Sequence, residues 1–309
     1  MGLKMKLGQL MLAFAVLVAF VPGLLAEEKP AGLPAGAKVT SLTVFPSEAV
    51  LGDRYAYRQV LVTAEVEGLG KIDVTRLAKV EGSLDLVKVS AGRKVKGLKN
   101  GQGKLVFSLD GHKAELPVKV DGLDADYKVS YVQDVMPLLA RLGCNSGVCH
   151  GSQKGKNGFK LSLRGYDPLF DHIALTDDLE GRRFNRAAPD KSLFLMKITG
   201  AVPHLGGVRT GADSDYYSVL KSWVRDGVKM DLESPRVVKV EVFPREVTLA
   251  LPGMQQQMAA IATFSDGKVR DVSHEGFLSS SDTEIATVDD AGVVTAVRRG
   301  EIAVLARYE

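Results

Sequence analysis

Short alternating runs dominate both ends of the chain. Val39-Thr40-Ser41-Leu42-Thr43-Val44 puts apolar and polar side chains on opposite faces with period two, and Val60 to Glu65 and Leu84 to Val89 do the same. Clusters of Gly, Asp and Asn separate these runs at short intervals, which is the pattern of a β-sandwich. From about residue 237 to 309 the theme returns. Val44-Phe45-Pro46 corresponds to Val242-Phe243-Pro244 at an offset of 198, and Asp73-Val74-Thr75 to Asp271-Val272-Ser273 at the same offset. Gly101 matches Gly300 with one residue of slippage. The sequence therefore predicts two copies of one β-domain bracketing a different middle domain.

The period changes in the middle. Val132, Val135, Met136, Leu139 and Leu142 recur at helical spacing. Pro137 is tolerated only in a first turn, so Asp134 is the expected N-cap of a helix of about two turns leading into Cys144. A second helix is expected from about Asp213 to Asp226, with Tyr216, Val219, Leu220 and Trp223 as its apolar stripe, Asp213 as cap and Gly227 as terminator. Between them lies a long Gly-rich stretch, expected to be loop.

The first residues alter the picture of location. Lys4 and Lys6 precede an apolar run of 11 residues from Leu10 to Phe20, which Pro22 and Gly23 break. Leu24-Leu25-Ala26 then offers a small residue for cleavage. This is the layout of a secretory signal peptide over residues 1–26, too short to span a bilayer as a permanent helix. Export to the periplasm or cell surface is expected, with no membrane span after cleavage. Residues 27–37 read as a linker, 38–125 as the first β-domain, 126–233 as the middle domain and 236–309 as the second copy, ending before its last strand. The formal charge of +3 is spread thinly and gives no reason to expect nucleic-acid binding.

The candidate chemistry is concentrated in Cys144-Asn145-Ser146-Gly147-Val148-Cys149-His150-Gly151, which holds both cysteines of the chain. Two thiols followed by an imidazole form the attachment pattern of a c-type haem: Cys144 and Cys149 would carry thioethers and His150 would be the proximal iron ligand. The spacing is C-x4-C-H rather than C-x-x-C-H, and Asn145, Ser146 and Gly147 can supply the bulged turn this requires. Two other readings stand beside it: a small-loop disulfide, natural in an exported protein, and a zinc site using both thiols and two histidines. For a haem, His204 is the candidate distal ligand, just ahead of the last helix, and Met196 is the alternative, in an apolar run that looks like buried packing. Lys154, Lys156, Lys160 and Arg164 form a basic cluster that could meet an acidic redox partner or haem propionates. Gly151-Ser152-Gln153-Lys154-Gly155-Lys156 lacks the spacing of a phosphate loop. Nothing in the sequence arranges a hydrolytic triad or a carboxylate pair, so an electron-transfer module is expected rather than a self-contained enzyme.

Two resemblances add to this. Val240 to Pro244, Thr263-Phe264-Ser265-Asp266-Gly267, Ser281 to Val288, Gly292 to Val297 and Gly300 to Val304 closely resemble a group 2 bacterial immunoglobulin-like domain, and the first copy resembles it more weakly, Lys79 to Val95 departing from the pattern. That family implies a spacer or adhesive module, with cell-surface proteins or polysaccharide as partners. Gly143 to Gly151, Phe159 to Pro168, Ser192 to Lys197 and Pro203-His204 resemble a planctomycete-type cytochrome-c-like domain. Together they imply two all-β Ig-like sandwiches flanking a mainly α cytochrome-c-like domain, with haem c as cofactor and as much of the core. A redox protein or a larger envelope enzyme would be its partner, and the alternative is a non-redox surface or adhesion protein with a Cys144–Cys149 disulfide.

Overall fold

The computed structural model describes residues 32–179 and 181–309. The expected signal peptide lies outside the described residues, as do residues 27–31 of the expected linker. In the first copy, Val39–Phe45, Leu61–Val66 and Gly70–Asp73 form one antiparallel sheet. Ala49–Leu51, His112–Val120, Gly101–Leu109 and Lys79–Gly82 form a second, and Tyr57–Gln59, Lys94–Gly97 and Val87–Val89 a third. Their alternating faces enclose a core containing Leu51, Val62, Val95, Leu105, Phe107 and Leu116, all buried. The second copy repeats the strands at an offset of 198, from Val237–Phe243 to Phe277–Ser280, then slips by one for Ala286–Val288 and Val293–Ala296. Among the described residues it has no strand matching Ala49–Leu51, and Phe277–Ser280 pairs with Val304–Arg307 as Lys79–Gly82 pairs with Gly101–Leu109 in the first copy.

The two copies pack on each other through equivalent residues. Asp271 Oδ2 accepts the Gln59 backbone N–H at 2.6 Å, and Asp73 Oδ2 accepts the Gln257 backbone N–H. The rings of Phe45 and Phe243 stack with centroids 4.6 Å apart. Each pair is related by the same offset, so the contact is isologous within one chain. Each aspartate uses its other oxygen inside its own copy, on Thr75 N–H at 2.7 Å or Ser273 N–H at 3.0 Å. The hydroxyls of Thr75 and Ser273 accept the Val62 and Ala260 amides, both at 2.9 Å. Thr75, Asp271 and Ser273 are buried, and buried polar groups persist only where partnered. The repeated Asp-Val-Thr/Ser signature is therefore the hydrogen-bonding kit of the face between the copies.

The middle region corrects the expected fold class. The chain is mostly β, 32% strand against 16% helix, and residues 126–233 do not form a mainly α cytochrome-like domain. Among the described residues they hold four short α-helices: α1 (Met136–Arg141), α2 (Pro168–Thr176), α3 (Leu193–Thr199) and α4 (Asp215–Arg225). A π-turn over Tyr131–Val135 precedes α1. The rest is turn and loop, because Gly and Pro punctuate the segment too often for long helices. The expected caps also move. Ser130 accepts the Gln133 amide at the start of the π-turn, and Ser214 rather than Asp213 caps α4.

The region has its own apolar core, so no cofactor is needed to act as one. Tyr131 stacks on Trp223 at 5.4 Å, and Val135, Leu139, Leu161, Leu175, Leu195 and Leu220 close around them, all buried. At about 1.5–3 kcal/mol for each large apolar side chain fully removed from water, this cluster is a substantial driving force.

Both β-domains grip the middle region. Tyr55 Oη donates to Ser222 Oγ at 2.7 Å, and Lys94 and Lys96 pair with Asp215 at the start of α4. From the second copy, Arg270 pairs with Asp134 at 2.6 Å and the His274 carbonyl accepts Tyr216 Oη at 2.5 Å. His274 also donates its amide to Tyr57 Oη at 3.0 Å and joins Gln59 Oε1 through Nε2 at 3.1 Å. Burial, with the charges of Lys94 and Arg141, holds its imidazole down to about 4, against an ordinary value of 6.5. Below pH 6.5 the unfolded chain takes up a proton that the folded chain refuses, so His274 makes stability fall between about pH 6.5 and 4, by at most about 3 kcal/mol. We predict that His274→Gln flattens this arm of the stability–pH curve, read by urea denaturation at each pH. A variant curve parallel to the wild type across that window would refute the assignment.

Candidate functional site

The segment from α1 to Arg209 folds around a cavity of about 800 Å³. Its size is that of small-molecule and cofactor sites, about 300–1,000 Å³. Leu139, Leu142, Phe159, Leu161, Leu175, Leu193, Phe194 and Ile198 give it apolar walls, and Cys144, Cys149, His150 and His204 all line it. Residues 60 positions apart in sequence thus meet in one place.

The turn that carries the thiols is tightly specified. The Cys144 amide donates to Leu139 O at the end of α1, and the His150 amide returns to Cys144 O at 3.0 Å. Gly151 closes the turn: a β-carbon there would lie 2.0 Å from the Asn145 carbonyl oxygen, so no other residue fits without moving the loop. Both cysteines are free thiols, each half-buried. Burial pushes the Cys144 thiol up to about 12, so it stays protonated at neutral pH.

The two imidazoles are each fixed by a backbone carbonyl. His150 Nδ1 lies 3.0 Å from Phe159 O and its ring packs on the Phe159 ring at 4.5 Å. His204 Nδ1 lies 2.9 Å from Gly207 O. A carbonyl can only accept, so both Nδ1 atoms carry the proton and both Nε2 lone pairs are left for another partner. The rings are nearly parallel, 9° apart, with centroids separated by 6.4 Å. Gly206 makes room for this: a β-carbon there would come within 2.9 Å of the His204 ring. The close approach that Gly206 allows is thus to the histidine itself. Burial, together with the charges of His204, Arg183 and Lys156, lowers the proton affinity of His150.

Met196 is half-buried on α3 and does not line the cavity, whereas Leu193, Phe194, Lys197 and Ile198 do. Of the expected basic cluster, only Lys156 lines it. Sequence reading missed Arg182, Arg183, Lys197 and Arg209, which complete a lining of five cations and no carboxylate among the described residues. Their scatter along the chain left no local signal. No group of three or more His, Cys, Asp or Glu side chains gathers closely enough to hold a metal by itself among the described residues. That weighs against the zinc reading.

The β-fold of the C-terminal region is that of a bacterial immunoglobulin-like domain, and residues 236–306 match the family described as Bacterial Ig-like domain (group 2). The match lies outside residues 126–233 and leaves the cytochrome resemblance there without support. Ice-binding protein 1 of Shewanella frigidimarina (strain NCIMB 400) is 32% identical over 94 residues, covering 30% of this chain and 10% of that protein. The chain therefore spans about a tenth of the length of that curated relative. Domains 1–6 of the surface layer protein SbsC align over 88% of this chain and 27% of that one, at 9% identity and a TM-score of 0.24, a likeness too low to bear on fold or function. Among the described residues no helix is long and apolar enough to cross a membrane.

Proposed function

We propose that the chain is an exported protein, in the periplasm or on the cell surface, that carries a covalent c-type haem in the cavity of its loop-rich middle region. One observation carries the reading: His150 and His204 face the cavity as parallel rings 6.4 Å apart, beside both thiols. The donor set fits an iron that His150 and His204 would hold through their free Nε2 atoms, each ring oriented by a carbonyl on Nδ1. Cys144 and Cys149 would hold the macrocycle, and the apolar walls would exclude water from it. Bound there, the group supplies reversible one-electron chemistry, and a redox protein or envelope enzyme would be the partner.

The comparisons favour a second reading. The group 2 Ig-like match, and the relative described as an ice-binding protein, suit a non-redox surface or adhesion protein that meets proteins or polysaccharide through its β-domains, with a Cys144–Cys149 disulfide.

Mass spectrometry separates the two. After expression with cytochrome maturation machinery, the mature chain should carry one haem with both thiols consumed, and Cys144→Ser or Cys149→Ser should reduce covalent retention. A mass two hydrogens below the reduced chain, with no haem, establishes the disulfide and ends the haem reading.

A further inference from the structure

We propose that Arg209 is a positioning residue for the two imidazoles: its guanidinium ties the turn that carries His204 to the turn that carries Cys144 and His150, and so fixes where the two rings stand; this rests on the haem reading above. The His204 turn is closed on itself. The Gly207 amide donates to His204 O, and His204 Nδ1 lies against Gly207 O, both at 2.9 Å. The ring is therefore carried by the turn as one unit. Arg209 Nη1 donates to Gly206 O inside that turn at 3.3 Å, and Arg209 Nε donates to Leu142 O at 2.6 Å. Leu142 is the C-cap of α1 and stands two residues before Cys144. Its carbonyl is one that a helix end leaves without an intrahelical partner, and an arginine can satisfy it.

The sequence makes room for this brace. Gly143 has φ +75°, and a β-carbon there would lie 2.9 Å from Arg209 Nη2. A side chain at 143 would push the guanidinium off the turn. The root of Arg209 is fixed too, its amide donating to Ile198 O of α3 at 2.7 Å. Lys197 also holds the loop before His204, donating to Pro203 O at 2.5 Å, but that bond leads back to α3. Among the described residues the hydrogen bonds that join the two turns to each other are those of the Arg209 guanidinium.

The test titrates the haem-loaded full chain with cyanide, which must displace His204. Losing one charge-assisted hydrogen bond shifts an equilibrium about tenfold. Arg209→Ala should therefore bind cyanide about tenfold tighter than the wild type, with Arg209→Lys between them. In a His204→Ala background the same change should leave cyanide affinity where it was, because no ring remains to be positioned. A cation acting directly on the anion would instead weaken binding in both backgrounds, and a purely structural role would move the urea midpoint alone; either result overturns the brace and leaves the haem reading standing. In the chain made without haem, Arg209→Ala should also speed hydrogen exchange at the Gly207 amide about tenfold, and unchanged exchange there overturns the brace whatever the cofactor. A chain that matures with no haem overturns the haem reading and this inference with it.

Discussion

His204→Ala is expected to convert the haem-loaded protein from low-spin to high-spin, with an iron open to carbon monoxide or cyanide. The expectation follows from the carbonyl on His204 Nδ1 and the ring's place across the cavity from His150. Covalent retention should be unchanged, because neither thiol is touched. Met196→Leu is the control, and its spectrum should match the wild type: α3 turns Phe194 and Lys197 toward the cavity and leaves Met196 off the wall. A thioether ligand raises the reduction potential relative to a second imidazole, so the wild type should lie at the low end for c-type haems. Loss of low-spin character in Met196→Leu, or a near-infrared band of sulfur ligation in the wild type, would transfer the role to Met196. If neither substitution matters, the iron is five-coordinate and ligand binding replaces electron transfer as the better reading.

Arg270→Leu is expected to lower stability by about 3 kcal/mol, the lower end of what breaking a buried pair costs. Its partner Asp134 is 2% exposed at the side chain, while Arg270 is 27% exposed. The carboxylate also accepts Tyr127 Oη at 3.0 Å and the Ser130 amide at 2.9 Å, so removing the guanidinium leaves it buried without its cation. Urea denaturation of the whole chain measures the loss, and adding Asp134→Asn should recover part of it by removing the stranded charge. A loss no larger than the ~1 kcal/mol of an exposed bridge would show that this pair does not hold the second copy to the middle region.

Much of the β architecture could be read from the chain, because its signals are local. Period-two runs mark Val39–Phe45 and Leu61–Val66, and the recurrence of Asp73-Val74-Thr75 as Asp271-Val272-Ser273 marks the repeat. The pairing of the copies could not be read. Gln59 and Gln257 are single polar residues in short strands, and nothing beside them says that their amides find a carboxylate 212 or 184 residues away. In the middle region the haem motif misled the reading of the fold. A thiol–thiol–imidazole turn needs only a local bulge, and it dictates nothing about the helix content around it. Asp167-Pro168 was a usable start signal for α2, since Asp167 accepts the Phe170 amide at 2.9 Å and Pro168 opens the first turn. The surrounding glycines concealed it. Asp134 was read as a cap because Asp suits that role, whereas Arg270 of the second copy claims its carboxylate. For the candidate site, the thiols and His150 were legible as a contiguous motif. His204 was legible only through its position before the last helix. Arg183 became visible only when the chain folded it over the Phe159 ring.

The face between the two copies also governs how load passes through the chain. Residues 126–233 leave one copy and return to the other, and the copies are fastened to each other by the stacked rings of Phe45 and Phe243 and the two carboxylate–amide bonds. The intervening stretch is therefore the longer arm of a closed loop, itself tied to both copies. Tension entering through one copy and leaving through the other takes the short path across the clasp, and the thiol-bearing turn lies off that path. While the clasp holds, a protein anchored through its β-domains can be pulled, as by a neighbouring cell or a moving polymer, without stretching the cavity.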